Sequence, residues 1–199
     1  MNTFLLWIGS GIAILLYFPL IRGILCGKIE QNFATWILWV ALDGIALGSI
    51  LLQGGNYLLL VFYCIGGSLV CASLLYTKQF KWTGFETFVL LLVFICLAVW
   101  AVSGPRWGTV ASTLAVIISG APQIKDSWRQ PDRQTGYIYL GYILANAFSF
   151  WGGKAWTIED RFYPGMCAIL CAAIACASLR KAPALIPKVE EKVAVTNSC

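Results

Sequence analysis

A chain of 199 residues in which 59% of side chains are apolar and only 12% are charged, with a mean hydropathy of +0.77, lies outside the composition of soluble domains and excludes a water-soluble globular fold. The formal charge of +5 comes from basic residues set beside apolar runs rather than gathered on one patch, which excludes a nucleic-acid surface. Because a helix needs roughly 20 apolar residues to cross a bilayer, the length admits about seven spans and no separate soluble domain.

The first apolar run, 3 to 21, has no Lys or Arg before Arg22, so it lacks the basic start of a secretory signal and reads as an uncleaved first span. Further runs follow at 33 to 52, 57 to 76, 86 to 103, 108 to 125, 136 to 152 and 162 to 179, bounded by charged or Gly/Pro-containing breaks. None alternates as a strand does, and backbone groups in lipid must be satisfied internally, so all seven are expected to be helices. Within the third run, Gly66-Gly67-Ser68 points to close helix contact rather than a phosphate cradle, and Gly152-Gly153 reads as a turn. Residues from about 182 onward, with Pro183, Pro187, Lys188, Glu190, Glu191 and Lys192, read as a short solvated tail.

Charge placement sets an expected orientation. Alternate loops put Arg22, Lys28, Lys78, Lys81, Lys125, Arg129, Arg133, Arg180, Lys181, Lys188 and Lys192 on one side, and Arg106, Lys154 and Arg161 on the other. By the positive-inside rule the N-terminus is outside and the C-terminus cytoplasmic, in a plasma or inner membrane. Cys64, Cys71, Cys96, Cys167, Cys171 and Cys176 fall inside predicted spans as small apolar side chains. Cys167 and Cys171 are one helical turn apart, but the chain has no histidine and no acidic residue lies beside them, so neither a disulfide framework nor a metal site is expected.

The chain repeats itself. An offset of 103 places Tyr17-Phe18-Pro19-Leu20-Ile21-Arg22 on Gly120-Ala121-Pro122-Gln123-Ile124-Lys125, and pairs Trp36 with Tyr139, Trp39 with Tyr142 and Asp43 with Asn146. After a shift of two more residues, Val70-Cys71-Ala72-Ser73-Leu74 falls on Ala175-Cys176-Ala177-Ser178-Leu179. Three helices per repeat is an odd number, so like-oriented copies need one helix between them to recross the bilayer. The expected fold is therefore an all-α membrane protein of seven transmembrane helices, two parallel three-helix bundles (3+1+3) joined by a linker helix. Its parts are a first repeat at 1–80, the linker helix at 81–106, a second repeat at 107–181 and the cytoplasmic tail at 182–199.

Ala121-Pro122-Gln123-Ile124, followed by Lys125, a short polar loop and Thr135-Gly136, resembles the PQ-loop motif of the SWEET and PQ-loop superfamily, and the 3+1+3 plan resembles it over nearly the whole chain. The first repeat carries Leu20 where the motif has glutamine. The resemblance implies a transporter of a small polar metabolite, such as a sugar, amino acid or vitamin-like solute, working by alternating access between two bundles. Relatives include cystinosin-like proton-coupled exporters and the KDEL-receptor fold. The rival reading is thus a receptor or accessory membrane protein that binds a peptide signal or lipid-linked sugar without net transport. SWEET carriers contact sugar through asparagines on the third and seventh helices; here neither span contains asparagine, so no sugar-specific site carries over.

Asp43 is a carboxylate near the middle of a span, where such groups are unfavourable by roughly 2.5 to 3.5 kcal/mol and mostly face a bundle interior or a wet cavity. Asn146 is its repeat partner. Trp36 and Trp39 precede Asp43, and Tyr139 and Tyr142 precede Asn146, at spacings that put each trio on one helical face. These six are the candidate substrate-binding residues: two polar groups with four aromatic walls. The plainer alternative has Asp43 and Asn146 bonded to each other or to backbone, with the rings as core. Asp43 leaves two chemistries open, proton coupling and direct recognition of a cationic solute. Pro19 and Pro122 are candidate hinges, with Gln123 placed to satisfy carbonyls freed at the kink; static kinks are the alternative. No nucleophile-base pair, ATP-binding loop or metal-ligand cluster occurs, so an enzyme is not expected, no cofactor is implied, and transport is passive or ion-driven. The implied partners are a small-molecule substrate, protons if transport is coupled, the lipid bilayer and, as an open alternative, further copies in a homo-oligomer.

Overall fold

The computed structural model describes residues 2–180 apart from 28 and 30, so the expected tail at 182–199 lies outside the described residues. The described chain is all-helical, in eight segments: α1 (Thr3–Leu25), α2 (Phe33–Leu52), α3 (Leu58–Tyr76), α4 (Gly84–Ser103), α5 (Pro105–Ser119), α6 (Ala121–Arg129), α7 (Arg133–Gly152) and α8 (Ile158–Leu179). Five of them, α1 to α4 and α8, are long and apolar enough to cross a membrane. α7 has comparable length but carries Arg133, Gln134, Asn146 and Ser149, and α5 has 15 residues.

The expected span at 108–125 is corrected. Its chain divides into α5 and α6 at Gly120, because Pro122 has no amide to continue the ladder and sits in the first turn of α6. The path stays helix-like across the break: the Gly120 amide donates to Val116 O at 3.1 Å and the Ile124 amide to Gly120 O at 3.2 Å. Pro19, by contrast, lies inside an unbroken α1.

The helices form a ring. α3 packs on both α1 and α2, and α8 packs on both α5 and α7; the two groups meet through α1 against α7 and α2 against α5, which closes the circle. α4 lies outside it, against α2 and α5. Glu86, Val89, Val93 and Cys96 form its one buried stripe, at three- and four-residue spacing, while Phe88, Leu91, Phe94, Ile95 and Val102 face outward and are exposed. An apolar surface this extensive suits hydrocarbon, not water. Exposed tryptophans stand near helix ends on both faces, Trp7, Trp107, Trp151 and Trp156 on one and Trp82 and Trp128 on the other, as in interfacial aromatic belts.

α4 is pinned at its start. Thr83 accepts from the Phe85 amide, Glu86 Oε2 accepts from the Thr83 amide at 2.8 Å, and Glu86 Oε1 accepts from Asn32 Nδ2 and Thr35 Oγ1, both at 2.9 Å. This capping box therefore also ties the start of α4 to the start of α2. At the other end Gly104 turns the chain at φ 83 directly into Pro105 of α5.

Glycines set the helix spacing. A Cβ at Gly9 would lie 2.6 Å from Ala145 O on α7, and one at Gly66 would enter the Tyr17 ring. Backbone has nowhere to move, so Gly9→Ala is expected to separate α1 from α7 and lower stability by about 1 to 3 kcal/mol, read as a reduced thermal midpoint in detergent. A midpoint equal to wild type would mean that this helix pair does not need its close approach.

Candidate functional site

At the ring's centre lies a cavity of about 100 Å3. α2 contributes Trp36, Trp39 and Asp43; α7 contributes Tyr139 and Tyr142; Tyr17 comes from α1, Tyr63 from α3, and Tyr163, Cys167 and Cys171 from α8. The rings form a continuous chain of edge contacts: Trp39 to Trp36 at 5.4 Å, Trp36 to Tyr17 at 6.3 Å, Tyr17 to Tyr142 at 5.8 Å, Tyr142 to Tyr63 at 5.9 Å, and Tyr63 to Tyr163 at 6.3 Å. Such edge-to-face and tilted pairs hold ring orientations firmly, so the walls are preshaped.

Two hydrogen bonds cross the centre. The Tyr163 hydroxyl donates to Asp43 Oδ1 at 2.6 Å, joining α8 to α2. Asn146 Nδ2 donates to the Tyr63 hydroxyl at 2.7 Å, joining α7 to α3, and to Tyr142 O at 2.8 Å on its own helix. A tyrosine of α8 thus holds the polar residue of α2, and a tyrosine of α3 that of α7. Tyr63 and Tyr163 are both the sixth residue of their helices.

The sequence-derived residues do not all meet. Asp43, Trp36, Trp39, Tyr139 and Tyr142 border the cavity together, with Asp43 only half-buried. Asn146 does not border it: it is fully buried behind Tyr63 and Tyr142, and it holds Tyr63 rather than facing the space. Asp43 and Asn146 are not bonded to each other. Gln123 also departs from expectation, since its amide donates to Ser127 Oγ at 3.4 Å instead of to a carbonyl freed by Pro122. Tyr17, Tyr63 and Tyr163 were not anticipated. Their signal was present as hydroxyl-bearing rings inside otherwise apolar spans, two of them at matching helix positions.

On one face the centre adjoins two larger spaces. Trp36 and Trp39 also border a vestibule of about 570 Å3, with Gln31, Asn32, Thr35, Lys78, Lys81, Gln123 and Asp126 around it. Beside it, a smaller space of about 220 Å3 reaches Trp36, Tyr139 and Tyr142 past Gln31, Gln123 and Asp132. On the opposite face the α2–α3 loop is clamped to both sides of the α7–α8 turn, the last turn of α7 and the first turn of α8. Asn56 Nδ2 donates to Ser149 O and Ser149 Oγ, each at 3.0 Å, and a Cβ at Gly55 would stand 2.5 Å from Glu159 O. Arg161 braces that turn, donating to Ala155 O at 2.8 Å and lying 4.1 Å from the Trp156 ring centre.

Asp132 forms part of the open face. It caps α7, accepting from the Gln134 amide at 3.2 Å, the Thr135 amide at 2.8 Å and the Thr135 hydroxyl at 2.7 Å. Burial pushes its carboxyl up, but the Thr135 hydroxyl and the two amides outweigh that and hold it below the ordinary carboxylate value. A depressed native value means that the cap stabilises fully at neutral pH and is lost as pH falls through that lowered value. Asp132→Ala is therefore expected to cost about 1 kcal/mol at pH 7 and less once the wild-type carboxyl is protonated. Thermal midpoints across a pH series check this, and a pH-independent difference would remove the charge from the account.

In comparison with known proteins, no family model, no curated protein and no solved structure matches this chain.

Proposed function

We propose that the chain is a SWEET-like or PQ-loop-type transporter that moves a small polar metabolite across a plasma or inner membrane by alternating access. In this reading α1–α3 and α5–α8 are two like-oriented triplets and α4 is the linker, giving seven spans in a 3+1+3 plan with α5 and α6 sharing one path. The matching adjacency of the two groups supports it, since α3 and α8 each pack between the other two helices of their set. With the N-terminus outside, the vestibule near Lys78 and Lys81 faces the cytoplasm, and the clamp at Asn56 and Ser149 closes the outer side.

One observation carries the proposal: a central cavity built from both groups, holding the carboxylate of Asp43, separated from a vestibule on one face by Trp36 and Trp39 and backed on the other face by the clamp of Asn56 on Ser149. A carrier halted in one of its two states has this form. The same one-sided arrangement favours a second reading, a receptor or accessory protein that binds solute without passing it on. Purified protein in liposomes, screened against sugars, amino acids and vitamin-like solutes with and without a pH gradient, separates the two. Saturable flux of a bound solute is the expected outcome, acceleration by the gradient marks proton coupling, and binding without flux gives the receptor.

A further inference from the structure

The chemistry of the central cavity restricts what it can hold. Among the described residues its wall contains one carboxylate, Asp43, and no basic side chain. A phosphate, a carboxylic acid or the acidic end of a zwitterion would therefore meet no counter-charge there, and would meet Asp43 as a like charge. A polyol fares little better. It needs a hydrogen-bond partner for most of its hydroxyls, because a buried polar group left unpaired loses its hydration without return. The Tyr163 hydroxyl already donates to Asp43; Trp39 Nε1, the Tyr142 hydroxyl and the proton of the Tyr63 hydroxyl are left to meet a few hydroxyls, and the remaining surface is mostly ring and aliphatic carbon.

What those walls favour is positive charge. Seven aromatic side chains border the space beside that single acid. Ring faces attract a cation through their quadrupoles, most strongly when water is excluded; a quaternary nitrogen carries no N–H to be paired, and a protonated amine can donate to Asp43. Volume adds a limit: about 100 Å3 is less than the roughly 150 Å3 of an apolar cavity that admits benzene, so it suits a compact head group. Trp36 and Trp39 stand between this cavity and the vestibule of about 570 Å3, so a turn of either ring would give the remainder of such a molecule polar contacts at Gln31 and Gln123.

We infer that this cavity binds an organic cation, an ammonium or quaternary nitrogen head bearing no carboxylate, with Asp43 as counter-ion and the surrounding rings as its cage. The inference rests on the reading of this cavity as the solute site of the proposed carrier, and it names the solute's class.

The test is binding to the purified full chain in detergent, by calorimetry and by quenching of tryptophan fluorescence. The probes are tetramethylammonium, choline, the neutral carbon isostere of choline, glycine betaine and glucose. Tetramethylammonium and choline are expected to bind at least tenfold more tightly than the isostere, betaine or glucose. In Asp43→Asn the preference for choline over its isostere falls to near unity, and in Trp39→Leu choline binding weakens about tenfold. Wild-type protein that binds the isostere, betaine or glucose as well as choline, or that binds none of the five, overturns the inference whatever the variants do. Liposome flux keeps the two ideas apart. Charge-selective binding without flux leaves the cation site standing and removes the carrier, whereas saturable flux of a neutral or anionic solute without choline binding does the reverse.

Discussion

Asp43→Asn is expected to lower saturable flux in proteoliposomes about 100-fold while the protein elutes and melts as wild type does. The substitution keeps the shape and the bond from Tyr163, which an amide oxygen still accepts, and removes only the charge. Asp43 accepts a single protein hydrogen bond, and its side chain is partly open to the cavity, so the carboxylate has interaction capacity that the fold does not consume. A 100-fold loss corresponds to about 2.7 kcal/mol, within reach of one charge-assisted contact in a water-poor site. Tyr163→Phe is the graded companion, since it strips the donated hydroxyl but leaves the acid, and a loss nearer tenfold is expected. If Asp43→Asn transports at the wild-type rate, solute does not pass through this cavity.

Joining Asn56→Cys to Ser149→Cys with a short thiol crosslinker, in a cysteine-depleted background, is expected to stop flux almost completely, with recovery on reduction. Asn56 and Ser149 meet side chain to side chain, 93 residues apart in sequence, on the clamped face. Any cycle that alternates access must break this contact, so a tether that survives opening forbids the second state. Solute binding from the vestibule is expected to survive in the tethered protein, because none of the cavity walls lies in the clamp. Full transport with the tether in place would mean that this face never opens, and the alternating cycle would be abandoned.

Much of the architecture was legible from apolar run lengths alone, because lipid forces each backbone group into a helix and helices of that length have little freedom of placement. The second-helix trios were legible for a similar reason: spacings of three and four residues put Trp36, Trp39 and Asp43 on one side of α2 wherever the helix goes. What α2 faces was not legible. The partner of Asp43 stands 120 residues away, and its identity depends on which helices close the ring. Asn146 shows the limit of repeat symmetry, since it occupies the place equivalent to Asp43 yet is fully buried and spends its amide on Tyr63 and Tyr142 O. The break at Gly120 was hidden because hydropathy measures how apolar a run is, not whether its amide ladder is continuous.

The ring of α1, α3, α2, α5, α8 and α7 closes with no help from α4, which only leans on its outside. Covalent continuity between the two groups therefore contributes orientation and local concentration to the ring, and α4 adds its own contacts to α2 and α5 outside it. Severed between α3 and α4, the pieces would still present the edges through which α1 meets α7 and α2 meets α5.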